Sequence, residues 1–241
     1  MDTIEAIKKD LHSYIDPEKA AHLPKFFQVY PGGYGEGDLF LGVTVPNQRK
    51  VSRKYSKIIT MDELEELFNS KYHEHRLTAI FILVLKYESA KTGQEQKQLV
   101  DFYLSNLSAV NNWDLVDSSA YKIIGPYLYD KDKSLLYEFA VSNNLWKQRI
   151  AIITTYYFIK KDDYIHTFEL ADLLIDHEHD LIHKAVGWML REVGKRNFEK
   201  EFNFLIPRYK QMPRTMLRYA IEKFEPEQRK EFLAGAICVK P

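Results

Sequence analysis

Apolar residues recur along this chain at spacings of three and four. The pattern is clearest in residues 64–68, 77–85, 99–107, 150–159, 170–175, 185–193 and 216–224. That period belongs to a helix with one buried face, so each stretch predicts a helix. The strict alternation of a half-buried strand is scarce. The exception is 39–46, a short apolar run that could be extended, although Gly42 and Pro46 fit a loop entering a helix at least as well. The pattern predicts an all-α protein.

Several predicted helices open alike, with a polar turn, then Arg or Lys, then a small or β-branched apolar face. Segments beginning near Arg76, Arg149, Lys184 and Arg214 share this form. Arg149 and Lys184 lie 35 positions apart, and Arg76 and Arg149 lie 73 apart, with a segment at Trp113 midway. A period of about 36 residues is one helical hairpin per unit, which is how solenoids are built. The tetratricopeptide Trp/Gly/Tyr pattern is absent, so the units read as degenerate HEAT-like repeats. Equivalent helices would then line one concave wall. No linker stands out, and a single domain over 1–241 is expected.

Composition narrows the picture. The 241 residues suffice for a real core. With 34 basic and 34 acidic residues, overall basicity cannot argue for nucleic acid. Charge is segregated, however. Between residues 184 and 230 there are twelve Lys/Arg and six Asp/Glu, the kind of excess that forms a basic stripe. The single cysteine, Cys238, allows no disulfide within the chain and has no nearby His that would make it a nucleophile. The N-terminal residues lack a basic region followed by an apolar stretch, so no signal peptide is expected. The longest apolar run, 79–85, is too short to span a bilayer. A cytoplasmic protein is expected.

The candidate chemistry lies around the three tryptophans. On helices, Trp113 and Asp117 share a face, as do Trp146 and Arg149, and Lys184, Trp188 and Arg191. Aromatic faces, one carboxylate and several cations suit a sugar–phosphate chain at which positive charge develops. Asp114 points about 100° away from Trp113, which makes Asp117 the preferred carboxylate. Core packing is the ordinary fate of Trp and remains open for Trp146. His177, His179 and His183 could place two imidazoles for zinc, but their surroundings have the polar, acidic character of a helix start, so no metal is expected. The glycine-rich stretch 32–38 matches no nucleotide-binding pattern and reads as a turn-rich connection. No GxSxG elbow is present.

The ordered motifs Trp-Asp-x-Val-Asp at 113–117, Trp-x-x-Arg-x-Ala at 146–151 and Lys-Ala-x-Gly-Trp-x-Leu-Arg-Glu at 184–192 resemble those of the AlkD-type DNA alkylation-repair glycosylases. Pro17-Glu18-Lys19-Ala20, Phe40-Leu41-Gly42 before Pro46, and the segment 214–221 extend the likeness over nearly the whole chain. The resemblance implies an all-α, right-handed superhelical solenoid of HEAT-like repeats whose concave basic face grips duplex DNA. It implies excision of cationic N3- and N7-alkylated purines; no lysine is placed for Schiff-base strand cleavage, so base removal without strand cleavage is expected, by a monomer needing no cofactor. Asp117 matches the catalytic carboxylate, Trp113 and Trp188 the aromatic pair against the lesion deoxyribose, and Arg149 the cation near the backbone phosphate. Lys184, Arg191, Lys195, Arg214 and Arg218 are the expected DNA-binding cations. The loop at 32–38 is longer than in the shortest family versions. A catalytically silent DNA-binding solenoid and a protein-binding scaffold are the alternatives, and the trio Asp117, Trp113 and Trp188 argues against both.

Overall fold

The computed structural model describes residues 2–237, so Cys238 lies outside the described residues. Fourteen α-helices account for the architecture among them. The extended character at 39–46 reduces to one isolated parallel bridge between Leu39 and Tyr72. No helix among the described residues is long and apolar enough to cross a membrane. The chain divides into two compact units, Met1–Ser119 and Ala120–Pro241.

The first unit contains α1 (Thr3–His12), α2 (Pro17–Phe26), α3 (Val45–Tyr55), α4 (Met61–Phe68), α5 (His73–Ser89), α6 (Gly93–Ser105) and the first turns of α7 (Trp113–Leu128). At its centre is α5, against which α3, α4 and α6 pack. Residues 77 to 84 of α5 are all buried, the pattern of a helix surrounded on every side. Local sequence sets the boundaries. Thr60 and Glu63 form a capping box at the start of α4, and Thr92 and Glu95 form another at α6. Pro17 takes the first position of α2, where its missing N–H costs nothing, and Asp16 caps that helix through Lys19 N.

The loop entering α3 is fixed by a side chain. The buried Glu74 carboxylate accepts from Leu41 N at 3.0 Å and Gly42 N at 2.8 Å. Gly42 has φ +77°, and a Cβ there would lie 2.1 Å from the Asp16 carbonyl oxygen. Only glycine fits that conformation and that approach.

The second unit is a stack of helical hairpins. Its helices are α8 (Ser134–Ala140), α9 (Leu145–Ile159), α10 (Ile165–Leu173), α11 (Asp180–Arg196), α12 (Phe198–Leu205), α13 (Arg214–Ala220) and α14 (Pro226–Ala234). Neighbours α9, α11 and α13 lie side by side, with α8 and α10 on α9 and α12 on α11. This is the alternation of a helical repeat. The helices that open at Trp113, Leu145 and Asp180 carry Asp117, Arg149 and Lys184 at the fifth position of each. Gly187 makes the α11–α13 contact close. A Cβ at this position would meet the Met216 carbonyl oxygen at 2.4 Å and Tyr219 Cβ at 2.5 Å. Gly125, in the later turns of α7, faces Tyr157 Cβ at 2.5 Å in the same way.

Candidate active site

In the first unit, Trp113 opens α7, and its backbone N–H donates to the Asn112 side chain at 2.8 Å. The half-buried indole stacks on Phe27, with ring centroids 5.6 Å apart and planes at 19°. Phe26 meets it edge-on at 5.8 Å and is 61% exposed. Asp117, one turn along α7, is also half-buried. The i,i+4 spacing sets it on the same helix face as Trp113. Burial drives the phenol of Tyr103 above its ordinary range, and the Asp117 charge adds to the shift. Tyr103 and Ser119 are hydrogen-bonded at 2.9 Å.

Asp114 has a different task. Its Oδ2 accepts from His73 Nε2 at 2.8 Å. His73 Nδ1 donates to Asp38 Oδ2 at 3.2 Å, and Arg76 Nη2 donates to that same oxygen at 2.6 Å. Asp38, His73 and Arg76 are all buried. Burial works against charge on His73, but Asp114 and Asp38 outweigh it and hold its pKa up at about 9. Burial likewise opposes ionisation of Asp38, yet His73 and Arg76 keep its carboxyl below the usual range. Phe27 and Phe40 lie against the His73 ring at 4.6 and 5.1 Å. Sequence reasoning missed this cluster. Its members are 35 and 41 positions apart, so no local spacing could reveal it.

In the second unit, Arg149 is buried and donates from Nη1 to the Leu181 carbonyl in the first turn of α11. Trp188, half-buried on α11, donates from Nε1 to Glu192 at 3.0 Å and lies 5.8 Å from the Tyr156 ring. The same Glu192 oxygen accepts from Lys195 at 2.6 Å. Arg191 is ion-paired with Glu222, and Lys184 with Asp180 at 2.7 Å. Arg214 donates to the Leu233 carbonyl, and Arg218 is exposed on α13. Trp146 is half-buried at the start of α9, behind the Asn144 cap. The structure therefore gathers Trp188, Arg191 and Lys195 around Glu192 on one helix. Lys184 sits one turn before Trp188 and leans toward the acidic start of the helix.

The histidines at 177–183 are occupied at that start. His179 is the N-cap of α11, accepting from Leu181 N at 3.1 Å. His177 Nδ1 accepts from His179 N at 2.9 Å, while its Nε2 donates to Gln148 at 2.9 Å. His183 Nε2 donates to the His177 carbonyl. Burial lowers the pKa of both His177 and His179. No group of three or more metal-binding side chains occurs among the described residues.

Comparison with known proteins places this architecture. A family model described as "DNA alkylation repair enzyme" matches residues 7–224. Among solved structures, the chain is similar to one titled "Predicted DNA alkylation repair enzyme from Enterococcus faecalis". The TM-score is 0.69 at 18% identity, covering 88% of this chain and 97% of that one, and it shows a shared fold. No curated protein matches. With the family match running through all but the ends of the chain, this protein belongs to the DNA alkylation repair enzyme family.

Proposed function

We propose that the protein is a monofunctional DNA glycosylase that hydrolyses the N-glycosidic bond of cationic N3- and N7-alkylated purines in duplex DNA. The observation that carries this reading is the half-buried indole of Trp113 at the start of α7 with the half-buried carboxylate of Asp117 one turn later. Asp114, between them in the sequence, is hydrogen-bonded to His73. An aromatic face beside a carboxylate suits a sugar that becomes cationic. The family membership supplies the DNA.

An N3- or N7-alkylated purine already carries positive charge and leaves without protonation. The C1′–N bond breaks, its electron pair goes to the departing base, and the sugar becomes oxocarbenium-like. Water then forms the new C1′–O bond and loses a proton, for which Asp117 is the proposed acceptor. A carboxylate about 4 Å from the cation contributes roughly 4 kcal/mol at an effective dielectric near 20. That corresponds to about a thousandfold in rate. Trp113 and Trp188 are the proposed aromatic contacts of the deoxyribose, worth on the order of 1 kcal/mol each for a developing cation. Arg149 is the proposed phosphate contact nearest the lesion. Lys184, Arg191, Lys195, Arg214 and Arg218 are proposed to meet the remaining backbone.

The test is base release from otherwise identical duplexes carrying different lesions. Release of 3-methyladenine and 7-methylguanine is expected, with negligible release of hypoxanthine and uracil. Neutral bases need a general acid, and the reading assigns none. Efficient hypoxanthine excision would contradict it, and tight duplex binding with no release of any base would favour a silent binding protein.

A further inference from the structure

His73 is the first residue of α5 and only 2% exposed. Both ring nitrogens donate, to Asp114 on α7 and to Asp38 in the loop before α3. A neutral imidazole has one N–H and can serve only one of these carboxylates. The arrangement therefore requires the imidazolium. The charged groups facing this ring are Asp38, Asp114 and Arg76, two anions and one further cation, so protonated His73 makes the cluster neutral. A buried charge is tolerated only when it is paired in this way.

The same ring also reaches α7 by a second route. Its face lies 4.6 Å from Phe27, and Phe27 stacks on Trp113. One contact grips the carboxylate of the second residue of α7, and the other supports the indole of the first. Together they fix the rotation of this helix about its axis, which sets the direction of Asp117 one turn later. The loop that supplies Asp38 is itself tied to α5, because His73 N donates to the Leu39 carbonyl at 2.8 Å and Glu74 holds Leu41 and Gly42.

We propose that His73, clamped between Asp38 and Asp114, is a positioning residue for base excision that locks the first turn of α7 and so aims Trp113 and Asp117. The inference rests on the glycosylase reading for its consequence but not for the clamp itself. Two readouts keep these apart. One is amide hydrogen exchange at Val116, Asp117 and Ser118. The other is the single-turnover rate of 7-methylguanine release as a function of pH.

In the wild type, amide protection, taken relative to the base-catalysed intrinsic exchange rate at each pH, and a steady release rate should persist to about pH 8, and both should be lost as pH rises through about 9, where the imidazolium deprotonates. In His73→Gln, exchange at these amides should be faster at every pH. Base release should be at least about tenfold slower with the alkaline fall absent, a loss of 1.4 kcal/mol or more in transition-state stabilisation. Duplex affinity should stay within about twofold. Asp38→Asn, which keeps the imidazole but removes one of its anions, should move the alkaline fall down by at least about one pH unit. That variant decides the matter if His73→Gln fails to fold. Wild-type exchange and an unshifted pH profile in a folded variant would overturn the clamp. Altered exchange with an unchanged release rate would overturn the positioning role. A wild type that releases no alkylpurine would sink the glycosylase reading, while exchange would still decide whether the clamp exists.

Discussion

Asp114 and Asp117 are three residues apart, chemically identical, and put to different uses. Asp114 holds the buried His73 imidazolium, and Asp117 lies one helical turn from Trp113. Their three-residue spacing makes them neighbours on the helix, and the sequence distinguishes them only by their angle from Trp113, about 100° for Asp114 and about 40° for Asp117. The reason for the difference, His73, could not be seen, because a histidine 41 positions away carries no local signal. A second buried group was equally hidden. Glu201 on α12 is 2% exposed, and its carboxyl fills the space a Cβ would take at Gly194. Burial pushes its pKa up to about 9, against the nearby positive charge of Arg191. The folded state thus holds a proton that the unfolded chain releases above about 4.5, so this group's contribution falls as pH rises from about 4.5 through about 9. Glu201→Gln removes that dependence. In urea unfolding at pH 5, 7 and 9, the variant should gain on the wild type at each step, and a difference that stays constant with pH would show that Glu201 does not titrate in this way.

At the scale of elements, hydrophobic periodicity located α4, α5, α6, α9, α10, α11 and α13, because each of these buries one face or, for α5 and α9, nearly all of it. It misjudged some ends. The apolar run 99–107 passes the end of α6 at Ser105, and 216–224 passes the end of α13 at Ala220. In both places the chain tightens into a short 3-10 turn, Leu107–Ala109 and Ile221–Lys223, whose three-residue spacing continues the apolar pattern. The repeat was legible because helices opening with the same motif recur at Leu145, Asp180 and Arg214. The meaning of Gly187 was not legible, since glycine within a helix otherwise only weakens it. The structure supplies the reason, a backbone approach between α11 and α13 that leaves no room for a methyl group. Gly187→Ala should therefore destabilise the second unit by about 1–3 kcal/mol through overpacking, despite alanine's better helix propensity. Urea unfolding measures this, and a variant as stable as wild type or more so would mean the two helices separate at no cost.

At the scale of the whole molecule, a net charge of zero conceals the segregation that a DNA-repair protein needs. The twelve cations between residues 184 and 230 were countable in the sequence, but their partners were not. Lys184, Arg191 and Lys195 each contact a carboxylate, so binding phosphate exchanges one ion pair for another. The proposed grip on DNA is therefore separable from the proposed chemistry, because the cations are assigned to the backbone and Asp117 to the sugar.

That separation gives the most direct test, single-turnover release of 7-methylguanine from duplex DNA by wild type and by Asp117→Asn, with duplex affinity measured alongside. The substitution keeps the shape of the side chain and removes its charge. The release rate should fall by roughly two to three orders of magnitude, the loss of most of an electrostatic contribution of about 4 kcal/mol, while affinity stays within a factor of about two. An Asp117→Asn protein that releases 7-methylguanine as fast as wild type would contradict the assignment of Asp117 and, with it, the proposed mechanism.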